Sequence, residues 1–371
     1  MARKNRVVLR DAVYHITSRV AHGAFLFSDP AFKDRIAEWI HGVAEFSGVE
    51  VYAWSVMDNH FHLVVRVPGV PERYWTALGR EPDSQAFGMR PAECRVPRWS
   101  PADGDSPHGD AQDGVDGPRA GCGDSPRRER PAVGFMLSDE EMLGRLLSLY
   151  GDEGRVGRLR GAWAGMRAEG NGAAVDAAKE RYARRMYNVS QFVKTLKERV
   201  AMAYNRRHGH EGAVWQGRFH STLVEDAAEV RAVVAAYDDY NPVRAGVAGH
   251  PSAYRWCSFG AAAGNGPHAE RSRRGYERLL GRPWVEAREV MERIFALKDA
   301  GIRRPEGSED TRTSAAAAIR GRVPEFTRGV YVGRDSALVA EAARALPRDF
   351  PGASFAAAVA NCARFVWDRV A

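Results

Sequence analysis

Residues 50–67 read EVYAWSVMDNHFHLVVRV, and this stretch decides the fold. Residues 50–57 (EVYAWSVM) are rich in β-branched and aromatic side chains and predict a strand. Asp58-Asn59 predict a turn, and residues 60–67 (HFHLVVRV) predict the returning strand. Upstream, residues 12–20 (AVYHITSRV) have strand composition with partial alternation. Asp29-Pro30 then opens a helical stretch to about Phe46, with Phe32, Ile36, Trp39, Ile40 and Val43 at helical spacing. The order is therefore strand, helix, strand pair.

That order opens a ferredoxin-like layered fold, an α+β architecture with an antiparallel sheet and helices. Downstream the pattern breaks. Residues 101–130 contain six Gly and four Pro among many Asp, Ser and Arg, with almost no large apolar residue. Such a composition does not offset the entropy cost of ordering the backbone, so a disordered insert is expected. Helical pattern resumes at Ser138-Asp139-Glu140-Glu141, a cap followed by an acidic first turn. A longer helical region is expected from about Ala173 to Arg207, another near 225–239, and one more at 286–298. Residues 302–315 read as a polar linker, and the last 55 residues as a small Ala-rich module.

Composition narrows the function classes. The 371 residues hold 54 Lys+Arg and 47 Asp+Glu, a net charge of +7. No run of about 18 apolar residues is present, which excludes a transmembrane helix. The basic start Met1-Ala2-Arg3-Lys4-Asn5-Arg6 is not followed by an apolar signal core, so a cytoplasmic location is expected. The four cysteines (Cys94, Cys122, Cys257, Cys362) are widely spaced without a CxxC pair. That excludes a disulfide framework and a cysteine-rich zinc module.

His60-Phe61-His62 is the sharpest local feature. On a strand, residues i and i+2 share a face, so the two imidazoles stand side by side with Phe61 pointing away. Such a pair is a natural two-point metal ligand, although two histidines also simply decorate a sheet face. The neighbours of His15 leave open whether it shares that face.

Charge is the second feature. Residues 181–218 hold nine basic side chains and two acidic ones, Glu198 and Glu211, so their net charge of +7 equals that of the whole chain. This footprint suits a phosphate backbone. Trp215 and Phe219 interleave with it, either as base-stacking platforms or as ordinary core aromatics. Val189, Phe192, Val193, Leu196, Val200 and Ala203 make one apolar stripe on the same helix, and Tyr204 lies four residues past Val200.

Five blocks occur in order: VYHITSRV, WSVMDNHFHLVVRV, YNRRHG, GAVWQGRFHSTLVED and YNPVRAGVAGHPSAYRWCSFG. Together they resemble the HUH-type single-tyrosine transposases, in the branch related to REP-associated tyrosine transposases. The resemblance covers roughly residues 6–67 and 138–260. GRVPEFTRGVYVGRDSALV resembles a segment appended in some members. The chain then divides into 1–68 and 137–260 as an HUH transposase domain, 69–136 as the insert, and 261–371 as a C-terminal accessory segment.

The resemblance implies a ferredoxin-like HUH endonuclease layer in which His60 and His62 hold Mg2+ or Mn2+, with Asn205 or Gln191 completing the ligand set. It implies a tyrosine that cleaves and rejoins single-stranded or hairpin DNA through a 5′-phosphotyrosine, the chemistry of DNA transposition and recombination. Arg199, Arg206, Arg207, Trp215, Arg218 and Arg244 are the implied DNA contacts, and a homodimer is one expected state. Relatives often carry the tyrosine five residues before the asparagine of the basic turn. Counting from Asn205 gives Val200. The nucleophile then falls to Tyr204, or alternatively Tyr187, or the chain is a cleavage-deficient DNA-binding protein.

Overall fold

The computed structural model describes residues 11–71, 137–296 and 331–333. In chain order these form β1 (Ala12–Arg19), α1 (Pro30–Ser47), β2 (Glu50–Val56), β3 (His60–Val67), α2 (Asp139–Tyr150), α3 (Glu153–Ala168), α4 (Gly172–Ala183) and α5 (Val189–His208). There follow β4 (His220–Val224), α6 (Ala228–Asp239), α7 (Asn241–Arg244), α8 (Ser258–Ala263), α9 (Ala269–Leu280), α10 (Trp284–Ala296) and β5 (Tyr331–Val332). The insert from residue 72 to 136, the 302–315 linker, Cys94, Cys122, Cys362 and nearly all of the Ala-rich C-terminal module lie outside the described residues.

The sheet runs β2-β3-β1-β4-β5. Its first four strands are antiparallel, and β5 adds in parallel at the β4 edge. The order of these four with their crossover helices is that of the expected ferredoxin-like α+β layer. β4 completes it, yet its five residues, HSTLV, are too short to announce themselves by alternation.

Local chemistry sets the helix ends. The Asp29 side chain accepts from the Ala31 N–H at 3.0 Å and Pro30 takes the first helical position, starting α1; Gly48 ends it in the left-handed conformation. Ser138 and Glu141 cap α2 reciprocally. The helical region expected over 173–207 is two helices rather than one. The Asn188 side chain accepts from the N–H groups of Ser190 and Gln191, which starts α5 afresh. Tyr187 before it has φ of +50°, a conformation no helix propagates. α3 escapes a periodicity reading because only Val156 and Trp163 on it are buried.

Strand alternation splits the core into two layers. Tyr14, Ile16, Phe61, Leu63 and Val65 pack with α1, α2 and α5 on one face. Val13, Ala53 and Val64 pack with α6, α8, α9 and α10 on the other. Helices α9 and α10, from the stretch read as a C-terminal accessory segment, thus belong to the same core as the sheet. Gly275 lets α9 sit directly on β2, since a Cβ there would meet the Tyr52 carbonyl oxygen at 2.7 Å and that of Val51 at 3.1 Å. Backbone cannot give way as a side chain can. Gly275→Ala is expected to lower stability by about 1–3 kcal/mol in chemical denaturation, through overpacking. An unchanged midpoint would refute this close approach.

Candidate metal centre and its tyrosine

The sheet face toward α6 carries the polar residues. Cross-strand partners share a face, so the register sets them in rows. His60 stands opposite Arg19, and Ser55, His62, Thr17 and His220 form the next row across β2, β3, β1 and β4. His15 and Thr222 lie one row further in, toward the apolar Val64. The register therefore answers the question the sequence left open: His15 shares the face of the histidine pair. Helix α6 closes over these rows at Tyr237 and Asp238.

Asp238 Oδ1 lies 2.8 Å from His15 Nε2 and 3.2 Å from His62 Nδ1. The three side chains are completely or almost completely buried. A carboxylate oxygen only accepts, so a ring nitrogen bonded to it donates. His62 Nδ1 lies 3.2 Å from His15 Nε2 as well as from the carboxylate, so it has a partner in either tautomer, as donor to Asp238 or as acceptor from His15. A matching bond occurs at His60, whose Nδ1 lies 2.6 Å from Asn59 Oδ1. The Asn59 amide is oriented by its Nδ2, which donates to the Gly23 carbonyl at 3.0 Å. His60 is thereby protonated on Nδ1. The two rings meet edge to face with centroids 5.1 Å apart.

Burial pushes His62 down from its ordinary value, against the raising effect of Asp238. Burial alone would raise the Asp238 carboxyl, but the His15 and His62 rings outweigh it by charge and hydrogen bonding and hold the acid at about 2. A neutral imidazole backed by an ionised carboxylate is the state a metal-ligating histidine requires. Asp238 Oδ2 is buried without a hydrogen-bond partner.

Among the described residues, His15, His62 and Asp238 are the group of three whose ligand atoms lie close enough to share an ion, all within 4.8 Å of one another. The donor chemistry fits a divalent cation. His60, half-buried at the polar end of the sheet, is a further imidazole on the same face.

Tyr237 is the tyrosine at this centre. Its ring lies edge-on to both histidines, with centroids 6.3 Å from His15 and 6.2 Å from His62. The Arg244 guanidinium sits over the same ring, 4.1 Å from its centroid, and donates to the Tyr237 carbonyl at 2.6 Å and to Asn241 Oδ1 at 2.8 Å. Sequence reasoning passed over Tyr237. The available signal was a tyrosine four residues before Asn241-Pro242, on the helix expected near 225–239.

The other expected site residues lie elsewhere. Tyr204 packs against Phe32 and His208, at 6.0 and 4.4 Å between centroids, on the α1 side of the sheet. Tyr187 is buried against Gly48, its hydroxyl accepting from Arg145 at 3.0 Å. Gln191 and Asn205 belong to α5, whose buried stripe faces that same layer, and Asn205 Nδ2 donates to the Gly212 carbonyl at 3.2 Å. Val200 is completely buried there. Trp215 packs on Phe27 and Phe61, and its indole N–H donates to the Lys197 carbonyl at 2.9 Å, as a core aromatic does. Arg218 is exposed in the loop before β4. Arg199, Arg206 and Arg207 lie on α5, away from the histidines.

A second buried acid adjoins the centre. Asp239 accepts from the Phe259 N–H at 3.1 Å and from the Tyr276 hydroxyl. Burial pushes its carboxyl up to about 7 against those hydrogen bonds. A folded pKa above the unfolded one means the native state holds the extra proton. The stabilisation is then complete below about pH 4 and is lost as pH rises through about 7. Relative to Asp239→Asn, the wild type is expected to lose up to about 4 kcal/mol between those limits, at about 1.4 kcal/mol per unit. Parallel pH profiles of the two proteins would refute it.

Residues 9–71 match the family described as "Transposase IS200 like". This bears out the resemblance to HUH-type tyrosine transposases on the segment that carries β1, α1, β2 and β3. A solved structure described as a REP-associated tyrosine transposase bound to a REP hairpin is similar at 11% identity, covering 70% of this chain and 84% of that one, with a TM-score of 0.31. No curated protein matches the chain.

Proposed function

With residues 9–71 related to the IS200-like transposases, we propose that this protein cleaves and rejoins single-stranded DNA through a covalent bond to Tyr237. The observation that carries the reading is Tyr237 on α6 set edge-on to His15 and His62, beside the Asp238 carboxylate, where that helix covers the sheet face of the histidine pair.

His60 and His62 would hold a divalent cation, Mg2+ or Mn2+, through Nε2. Such an ion, when bound, supplies Lewis-acid polarisation of the scissile phosphate. The chain's own groups do the rest. Asn59 orients the His60 ring, and Asp238 with His15 orients that of His62. The Tyr237 phenol oxygen attacks phosphorus and gives up its proton to solvent. The bond to the 3′ oxygen breaks and that oxygen takes a proton from solvent, leaving a 5′-phosphotyrosine and a 3′-hydroxyl. Arg244, fixed over the ring by its two hydrogen bonds, offsets negative charge on the phenol oxygen as it attacks and as it later leaves. Phenolate is a fair leaving group, so the reverse step rejoins DNA without a nucleotide cofactor. Arg19, opposite His60, is placed to meet the strand at the polar end of the sheet.

The test is a covalent-adduct assay. Protein is mixed with labelled hairpin DNAs, including sequences flanking its own gene, with manganese or magnesium, and run on a denaturing gel. Label retained on the protein, and lost in His62→Ala, is the expected outcome. Salt-sensitive DNA binding with no adduct on any substrate would favour the cleavage-deficient binding protein instead.

A further inference from the structure

β2 is an edge of the sheet. Helix α1 packs on one face and α9 on the other. The two meet past that edge through His41 of α1 and His268, the residue that precedes α9. The imidazole rings lie 5.8 Å apart between centroids, with their planes 22° from parallel. Both side chains are more than nine-tenths buried.

His41 Nε2 and both ring nitrogens of His268 are buried without a hydrogen-bond partner. Trp54 stands edge-on to the two rings, at 5.9 and 5.8 Å, but its indole N–H donates to Ser272 Oγ at 3.2 Å. The indole therefore serves neither histidine. Buried polar atoms are nearly always paired, so three orphans at one place point to a ligand.

The state of the rings says which kind. Burial, then His268, Arg271 and Arg274, hold His41 down at about 3. Burial also lowers His268, against the raising effect of Glu38. Both imidazoles are therefore neutral at pH 7 and offer lone pairs, which suit a cation and not an anion. Neutral imidazole takes Zn2+ and its late first-row neighbours, whereas Mg2+ and Mn2+ prefer oxygen. A Zn–N bond of about 2.0–2.1 Å sets a ligating ring's centroid about 3 Å from the ion, so two rings on one ion lie up to about 6 Å apart. The spacing of His41 and His268 falls within that limit.

The surrounding charges are compatible with a cation. Arg271 pairs with Glu45 at 3.5 Å, Arg274 with Glu270 at 4.0 Å and Arg255 with Asp34 at 2.8 Å. Glu38, one turn before His41 on α1, is the carboxylate that acts most strongly on His268. Its own ion pair is with Arg35, on the exposed face of the same helix, a weak kind of pair that a metal ion readily displaces.

We propose that His41 and His268 form a second metal site, which takes Zn2+ or a similar imidazole-preferring ion, with Glu38 as third ligand and water completing the shell. The ion would tie α1 to α9 across the β2 edge and so hold the two core layers together. The site shares no residue with the histidine centre and does not rest on the DNA reading.

The experiment counts zinc bound to the full chain by competition with a chromophoric chelator, and follows thermal melting at matched free zinc. Wild type is expected to bind one more equivalent than His41→Phe and one more than His268→Gln. The first variant keeps an aromatic ring against Trp54 and the second a polar side chain before α9, so the count does not hang on the folding of one. With free zinc about a hundredfold above its Kd, the gain in Tm of wild type is expected to exceed that of the variants by about 5 °C or more. Glu38 is exposed, and Glu38→Gln is expected to weaken the extra equivalent without changing the Tm of the metal-free protein. A wild type that binds no zinc overturns the proposal. Equal counts in wild type and a folded variant do so too, and leave the pair as a water site.

Discussion

Tyr237→Phe is expected to abolish the covalent DNA adduct, a loss of about a thousandfold or more, since removing a nucleophile removes the whole two-step route. The substitution deletes one hydroxyl and keeps the ring that packs on His15 and His62. The fold should therefore hold to within about 1 kcal/mol, the size of one hydrogen bond. Tyr204→Phe and Tyr187→Phe are expected to keep the adduct, because both rings lie on the far side of the sheet against α1. Arg244→Ala should fall between these cases. It removes the cation over the Tyr237 ring but not the attacking oxygen. An adduct that survives Tyr237→Phe and disappears in Tyr204→Phe would move the nucleophile to α5 and sink the proposed centre.

Asp238→Asn is expected to raise the manganese concentration needed for half-maximal adduct formation by about 10- to 100-fold, the usual cost of losing a carboxylate behind a ligating histidine. The substitution preserves shape but replaces an ionised acceptor that serves His15 and His62 at once. An amide can turn its NH2 toward a ring nitrogen, so His15 and His62 no longer share an ionised acceptor. Yield at saturating manganese should recover. A role in packing alone predicts a different result, a lower melting temperature with unchanged metal demand, and that result would refute Asp238 as the group that orients His62. Asn59→Ala is the companion on the His60 side and should weaken metal dependence in the same direction.

Both experiments turn on residues of different legibility. The strand pair at 50–67, the first strand and the first helix are written in local patterns. Alternation, the Asp58-Asn59 turn and the Asp29-Pro30 start each act over a few neighbouring residues, and each was found where expected. β4 was not legible, because a five-residue strand draws its stability from pairing with β1 rather than from its own composition. The break between α4 and α5 was missed for the opposite reason: one capping side chain, Asn188, overrides a helical pattern that continues on both sides of it.

The sequence by itself determined the order of elements at the start of the fold, the shared face of His60 and His62, and the concentration of positive charge around α5. All of these follow from spacing along a strand or a helix. Only the tertiary structure decided which tyrosine stands beside the histidines. Tyr204 looked suitable because it lies on the basic helix, but the pleat sends His60 and His62 to one side of the sheet while α5 packs on the other. Tyr237 and Asp238, some 175 residues along the chain from the histidine pair, reach that side because α6 crosses it. A sheet has two faces, and no local pattern states which one a distant helix will cover.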